Sequence, residues 1–225
     1  MPKPNNWSDE YWLLLLQLYL SRPAGVKPVY SRPMVDLSLE LHVHPQVLHS
    51  RMEAIARLET PRIEHIWKTY GNNPRRLARA VKMVRSMYGF NNADDFFDGV
   101  DTCETFERDF RSIGGCGSLT PVVLILTLDL YFRLVPDTMV AITPEVVGLS
   151  RMTSTPVETI VAAMDSFRCH DPYYSRYAGR PASETDGAPL DAACRAVWQR
   201  FGNADPETLA AFASELSEYY RKIKN

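Results

Sequence analysis

Trp12–Pro23 reads WLLLLQLYLSRP, and Leu124–Pro136 reads LILTLDLYFRLVP. The nature of the first run, and its echo in the second, decide the fold. Eight of the nine residues from Trp12 to Leu20 are apolar. Nine residues of helix cover roughly 14 Å, about half of the ~30 Å hydrocarbon core, so the run is too short to cross a bilayer. As a secretory signal it lacks a basic leader: only Lys3 precedes it, Asp9 and Glu10 flank it, and no small-residue cleavage site follows. Ser8 is positioned as an N-cap with acids in the first turn, and Pro23 with Gly25 ends the run. A helix apolar nearly all round belongs at the centre of a small helical domain.

The echo extends well beyond the two phrases. At an offset of 112, Leu18-Tyr19-Leu20 pairs with Leu130-Tyr131-Phe132, Ser31 with Thr143, Leu37 with Leu149, Leu48 with Ile160 and Met52 with Met164. The match resumes at 131, where Trp67, Tyr70, Gly71 and Asn72 meet Trp198, Phe201, Gly202 and Asn203. About twenty extra residues are therefore expected in the second copy, in the Gly/Pro/Ser/Asp-rich stretch from Tyr173 to about Pro189. Asn73-Pro74 and Asp205-Pro206 each read as an N-cap followed by proline at the first helical position. The sequence thus predicts an all-α protein of two homologous helix-turn-helix-like domains in tandem, 1–92 and 118–225. An acidic helical linker, 93–117, joins them and ends in a glycine hinge. The first copy reads as five helices, about 8–21, 32–42, 45–58, 62–70 and 74–88.

With 225 residues, 45% apolar and 23% charged, the composition is that of a soluble globular protein with a sizeable core. Cys103, Cys116, Cys169 and Cys194 form no CxxC pair, which suits reduced thiols in a cytoplasmic protein.

In the middle of the first copy, VDLSLELHVHPQVLHSRMEAIARLE (35–59) reads as helix, tight turn and helix. Leu37 and Leu41 form the inner face of the leading helix. Leu48, Met52 and Ile55 pack on it at i, i+4 and i+7, and Pro45 opens the second helix. This stretch resembles the helix-turn-helix of sigma-factor-type DNA-binding domains, with Leu48 and Ser50-Arg51-Met52 standing where that pattern has a valine and then Ser-Arg-Leu. Such a helix presents Gln46, His49, Ser50 and Arg57 outward, with Arg51 at the flank, and these side-chain types reach base edges or phosphates in a major groove. Two helices joined by a tight turn also occur in any small bundle. The corresponding helix of the second copy, PVETIVAAMDSF, offers Glu158 and Asp165 and no basic residue. DNA binding is therefore expected of the first copy only.

Charge is segregated along the chain. Residues 1–92 hold thirteen Lys/Arg and seven Asp/Glu, residues 93–117 two and seven, and residues 118–225 ten and thirteen. Much of the positive charge lies on PRRLARAVKMVRSMY. There Leu77, Ala80, Val81, Val84, Met87 and Tyr88 share one arc, and Arg75, Arg76, Arg79, Lys82 and Arg85 occupy the opposite half. Five cations on one rigid face suit a phosphate backbone. Two other fates fit equally: solvation, or docking against Asp94, Asp95, Asp98, Asp101 and Glu104 or against another protein.

No cofactor, metal or catalytic group is expected. His42, His44 and His49 have no Cys or carboxylate pattern to complete a metal site. Cys169-His170-Asp171 is too local for a nucleophile–base–orienter triad, whose members converge from separated positions. It reads instead as a helix end before Pro172. The aspartates of DDFFDGVD miss the calcium-loop spacing.

LILTLDLYFRL, STPVETIVAAMDSF, DPYYSR and the Trp198–Phe201 turn together resemble a domain that precedes the nuclease module in some bacterial HNH-type endonucleases. That resemblance implies helix-turn-helix-like architecture and a targeting or DNA-engaging role. It does not imply nuclease activity, because no nuclease module lies within these 225 residues. The reading that follows is a non-enzymatic, cytoplasmic, bacterial-type DNA-binding or regulatory protein. Its first repeat would contact double-stranded DNA, and its second would serve dimerisation or a protein partner. The alternative is a protein-interaction scaffold that uses the charge polarity and binds no nucleic acid.

Overall fold

The computed structural model describes residues 7–87, 90, 105–114, 118–177 and 189–221. Among them are twelve α-helices and no sheet, so the protein is all-α. No helix among the described residues is long and apolar enough to cross a membrane. The chain divides into two compact units, 1–104 and 105–225. The acidic stretch 91–102, Gly115 and Gly117 of the expected hinge, Cys103, Cys116, and residues 178–188 of the expected insertion lie outside the described residues.

The first unit holds α1 (Tyr11–Leu20), α2 (Arg32–Leu41), α3 (Pro45–Arg57), α4 (Pro61–Ile66, continued by a π-turn at Trp67–Gly71) and α5 (Pro74–Arg85). Helix α1 lies at its centre and packs on the other four, with Leu14, Leu15 and Leu16 almost wholly buried. Ser8 does not cap it. The Ser8 hydroxyl donates to the Glu10 carboxylate instead, and the helix starts at Tyr11. At the far end the buried Lys27 ammonium donates to the carbonyls of Ser21 (2.8 Å) and Pro23, placing a cation at the negative end of α1.

The second unit holds α6 (Thr105–Asp109), α7 (Pro121–Arg133), α8 (Pro144–Thr153), α9 (Val157–His170), α10 (Pro172–Tyr177), α11 (Pro189–Phe201) and α12 (Pro206–Ser217). Here α7 is central. Val122 through Tyr131 are all buried, and α6, α8, α9, α11 and α12 pack around it. Fully burying side chains such as Leu124, Ile125 and Leu128 stabilises by about 1.5–3 kcal/mol each. Thr127 is tolerated in this core because its hydroxyl donates to Val123 O at 2.8 Å. Helix α6, from the acidic segment, ends before Ile113 and belongs to this unit. Ile142 lies in a turn and is 87% exposed, rather than in a strand.

Element ends correspond between the units. Arg32–Leu41 and Pro144–Thr153 differ by 112 at both ends, while Pro74–Arg85 and Pro206–Ser217 differ by 132. His42 and Ser154 both close their helices in the left-handed region (φ 52° and 58°), with N–H groups donating to Ser38 O and Ser150 O. Asn73 and Asp205 cap α5 and α12 by accepting from the N–H three residues on. Tyr19 meets Trp67 edge-on at 5.9 Å, and Tyr131 meets Trp198 edge-on at 6.2 Å.

Candidate nucleic-acid interface

In the first unit, residues 42–44 join α2 to α3, where the sequence placed a tight turn between two helices. No glycine occupies the turn. His42 itself takes the left-handed conformation that reverses the chain. His44 then caps α3, its Nδ1 accepting from Gln46 N at 3.2 Å. Met34, Leu37, Ser38 and Leu41 of α2 and Leu48, Met52, Ala54 and Ile55 of α3 are buried, which fixes the rotation of α3. Gln46, Val47 and Ser50 are thereby exposed, and together with Arg51, Ala54 and Glu59 they line a shallow groove of about 360 Å³. Val47, absent from the sequence candidates, is 37% exposed beside Gln46. His49 is half-buried.

The two arginines of α3 are already engaged. Arg51 lies over the rings of Trp7 and Trp12, 5.3 and 5.7 Å from their centroids. Arg57 pairs with Glu53 (3.2 Å) and Glu59 (3.3 Å). The outward surface of α3 is therefore nearly neutral, and the positive charge lies elsewhere.

It lies on α5. Leu77, Val81 and Val84 are buried and turn the opposite face outward. Arg75, Arg79 and Lys82, at i, i+4 and i+7, are exposed and have no ion-pair or hydrogen-bond partner among the described residues. The other two cations are engaged. Arg76 sits 5.3 Å above the Tyr70 ring, and Arg85 donates to Glu40 (Nη2 to Oε2, 2.7 Å), which raises the Arg85 pKa. Met87 departs from the expected apolar arc: α5 ends at Arg85, and Met87 is 55% exposed. Met83, on the outer face, is 70% exposed.

Other sequence candidates disperse. Cys169 is exposed, while His170 Nε2 lies 3.2 Å from Asp191 Oδ1. Asp171 accepts from the Tyr131 hydroxyl (2.9 Å) and from Tyr173 N (2.8 Å). Among the described residues, no group of three or more His, Cys, Asp or Glu is placed to hold a metal ion.

The structure thus groups the ten candidate residues into a neutral helix face (Gln46, Ser50), a free cationic face (Arg75, Arg79, Lys82) and side chains held by neighbours or half-buried (His49, Arg51, Arg57, Arg76, Arg85). Comparison with protein-family models, with curated proteins and with solved structures finds no match for this chain.

Proposed function

We propose that this is a non-enzymatic, cytoplasmic DNA-binding protein whose first unit holds double-stranded DNA, and that its two units are divergent copies of one helix-turn-helix-like domain. The observation that carries the DNA reading is the free face of α5: three exposed cations in helical register, with no acid on the helix. Helix α3 contributes a neutral face, Gln46 and Ser50, of the kind that meets base edges once phosphate contacts have set the register. The corresponding helix of the second unit, α12, carries Glu207 and Glu215, which repel phosphate. The matched helix ends, left-handed caps and N-caps support the duplication.

The test is fluorescence anisotropy of the full chain with a generic labelled duplex over a salt series. Three phosphate contacts give a log–log salt slope of about −2.7, so affinity falls about 40-fold between 50 and 200 mM salt. The Arg75→Glu, Arg79→Glu, Lys82→Glu triple variant should lose binding while keeping its helical circular dichroism. Wild-type protein that shows no salt-dependent binding rules the reading out.

Met83 and Met87, exposed beside these cations, favour a second reading in which α5 is a protein-contact surface. Sedimentation of the same triple variant separates the two: loss of an oligomer without any effect on DNA supports the second.

A further inference from the structure

The second unit contains a groove of about 420 Å³, which nothing in the charge pattern foreshadows. Three helices build it, each contributing residues at i, i+3, i+4 and i+7, starting from Leu126 on α7, Glu145 on α8 and Ala210 on α12. A lining of that register runs along each helix for two turns, about 10 Å. Helix α7 forms the floor and packs against both α8 and α12. The floor presents Leu126 and Leu130 with the Asp129–Arg133 ion pair beside them, and the walls carry small residues at Gly148 and Ser214.

In the first unit an ion pair spans the place that the helix offsets make equivalent. At the offsets of the helix ends, Met152 corresponds to Glu40 and Ser217 to Arg85. In the first unit those two residues form an ion pair that ties α2 to α5. In the second unit the same two positions line the open groove. Both members of the clamp are replaced together, one by a flexible apolar side chain and one by a small one.

We propose that this groove is a docking site for an amphipathic α-helix of a partner protein, one that presents small and aliphatic side chains to the floor and a Lys or Arg to the rim. The helical register of the lining on three sides matches a fourth helix laid along the seam. The small wall residues let its backbone approach closely. Charge selects the basic flank. Glu145 is exposed at the rim with no ion-pair partner among the described residues, and the one cation of the lining, Arg133, is committed to Asp129 at 2.7 Å. The proposal does not depend on DNA binding by the first unit.

The probes are two fluorescein-labelled synthetic peptides of about 18 residues, long enough to hold a helix. Both carry Ala and Leu at i, i+3, i+4 and i+7, and they differ only in a flanking Lys or Glu. The full-length protein should bind the Lys peptide about fivefold more tightly than the Glu peptide, the effect of exchanging one surface attraction for one repulsion. Glu145→Lys should reverse that preference. The Met152→Glu/Ser217→Arg double variant, which rebuilds the clamp of the first unit, should abolish binding of both peptides. Gly148→Leu should do the same, since a Cβ there meets nothing within 4 Å and leaves the fold intact. Equal binding of the two peptides, no binding of either, or full binding by a folded Gly148→Leu variant overturns the proposal.

Discussion

Arg85 of α5 and Glu40 of α2, 45 residues apart in sequence, are joined side chain to side chain, with Nη2 2.7 Å from Oε2. The pair therefore removes Arg85 from the free cationic face on which Arg79 remains. Their side chains are 46% and 26% exposed, so the bridge is screened by solvent, and Arg85→Ala should cost no more than about 1 kcal/mol in urea unfolding. On duplex DNA the same substitution should leave the salt slope nearly unchanged, whereas Arg79→Ala should make it shallower by about 0.9. Equal effects of the two substitutions would show that the ion pair opens on binding.

The three glycines that follow or interrupt helices separate sharply. A Cβ on Gly202 would sit 2.6 Å from the Trp198 ring and 2.7 Å from its carbonyl oxygen. Gly202→Ala should destabilise by about 2–3 kcal/mol, as expected of a packing clash. Gly71 has the same relation to Trp67 at a looser 3.2 Å, so Gly71→Ala should cost less. Gly148, inside α8 and facing open space, should gain about 0.5–1 kcal/mol on change to Ala through helix propensity. Thermal or urea unfolding of the three variants gives the order directly.

The caps of α5 and α12 predict matched losses. Asn73 Oδ1 accepts from Arg76 N at 3.0 Å, and Asp205 Oδ2 accepts from Thr208 N at 3.1 Å. Asn73→Ala and Asp205→Ala should each cost about 1 kcal/mol, and Asn73→Asp or Asp205→Asn should restore most of it. Hydrogen exchange should show the loss concentrated in the first turn of the affected helix.

The two described cysteines should differ in reactivity. Cys169 is exposed and Cys194 is fully buried. In a background lacking Cys103 and Cys116, a thiol reagent at pH 8 should label Cys169 at once and Cys194 only after unfolding.

Burial also pushes the Cys194 thiol up to about 12. Its ordinary value in an unfolded chain is about 8.5, so over the range between the two the unfolded state carries fewer protons. Stability from this group is intact below pH 8.5 and is lost as pH rises toward 12. Comparing the pH dependence of unfolding with that of Cys194→Ala should show a shallower alkaline decline in the variant, by up to about 1.4 kcal/mol per pH unit.

The sequence by itself determined the helices and their order. Prolines at 45, 61, 74, 121, 144 and 206 each start a helix, because the missing N–H and fixed φ suit the first turn. The apolar runs at Trp12 and Leu124 lie at the centres of their units, because a helix with no polar face must be surrounded. Local chemistry was enough for these features, and also for the buried stripe that rotates the cations of α5 outward. Tertiary structure alone decided which cations stay free and where a groove opens. Arg51 is taken up by Trp7 and Trp12, and Arg85 by Glu40, partners between 39 and 45 residues away. The groove between α7, α8 and α12 is lined by residues as far apart in sequence as Leu126 and Ser217, brought together only by helix packing. Helix periodicity sets the direction a side chain leaves its own helix. Only the packing of one helix on another sets what it meets there.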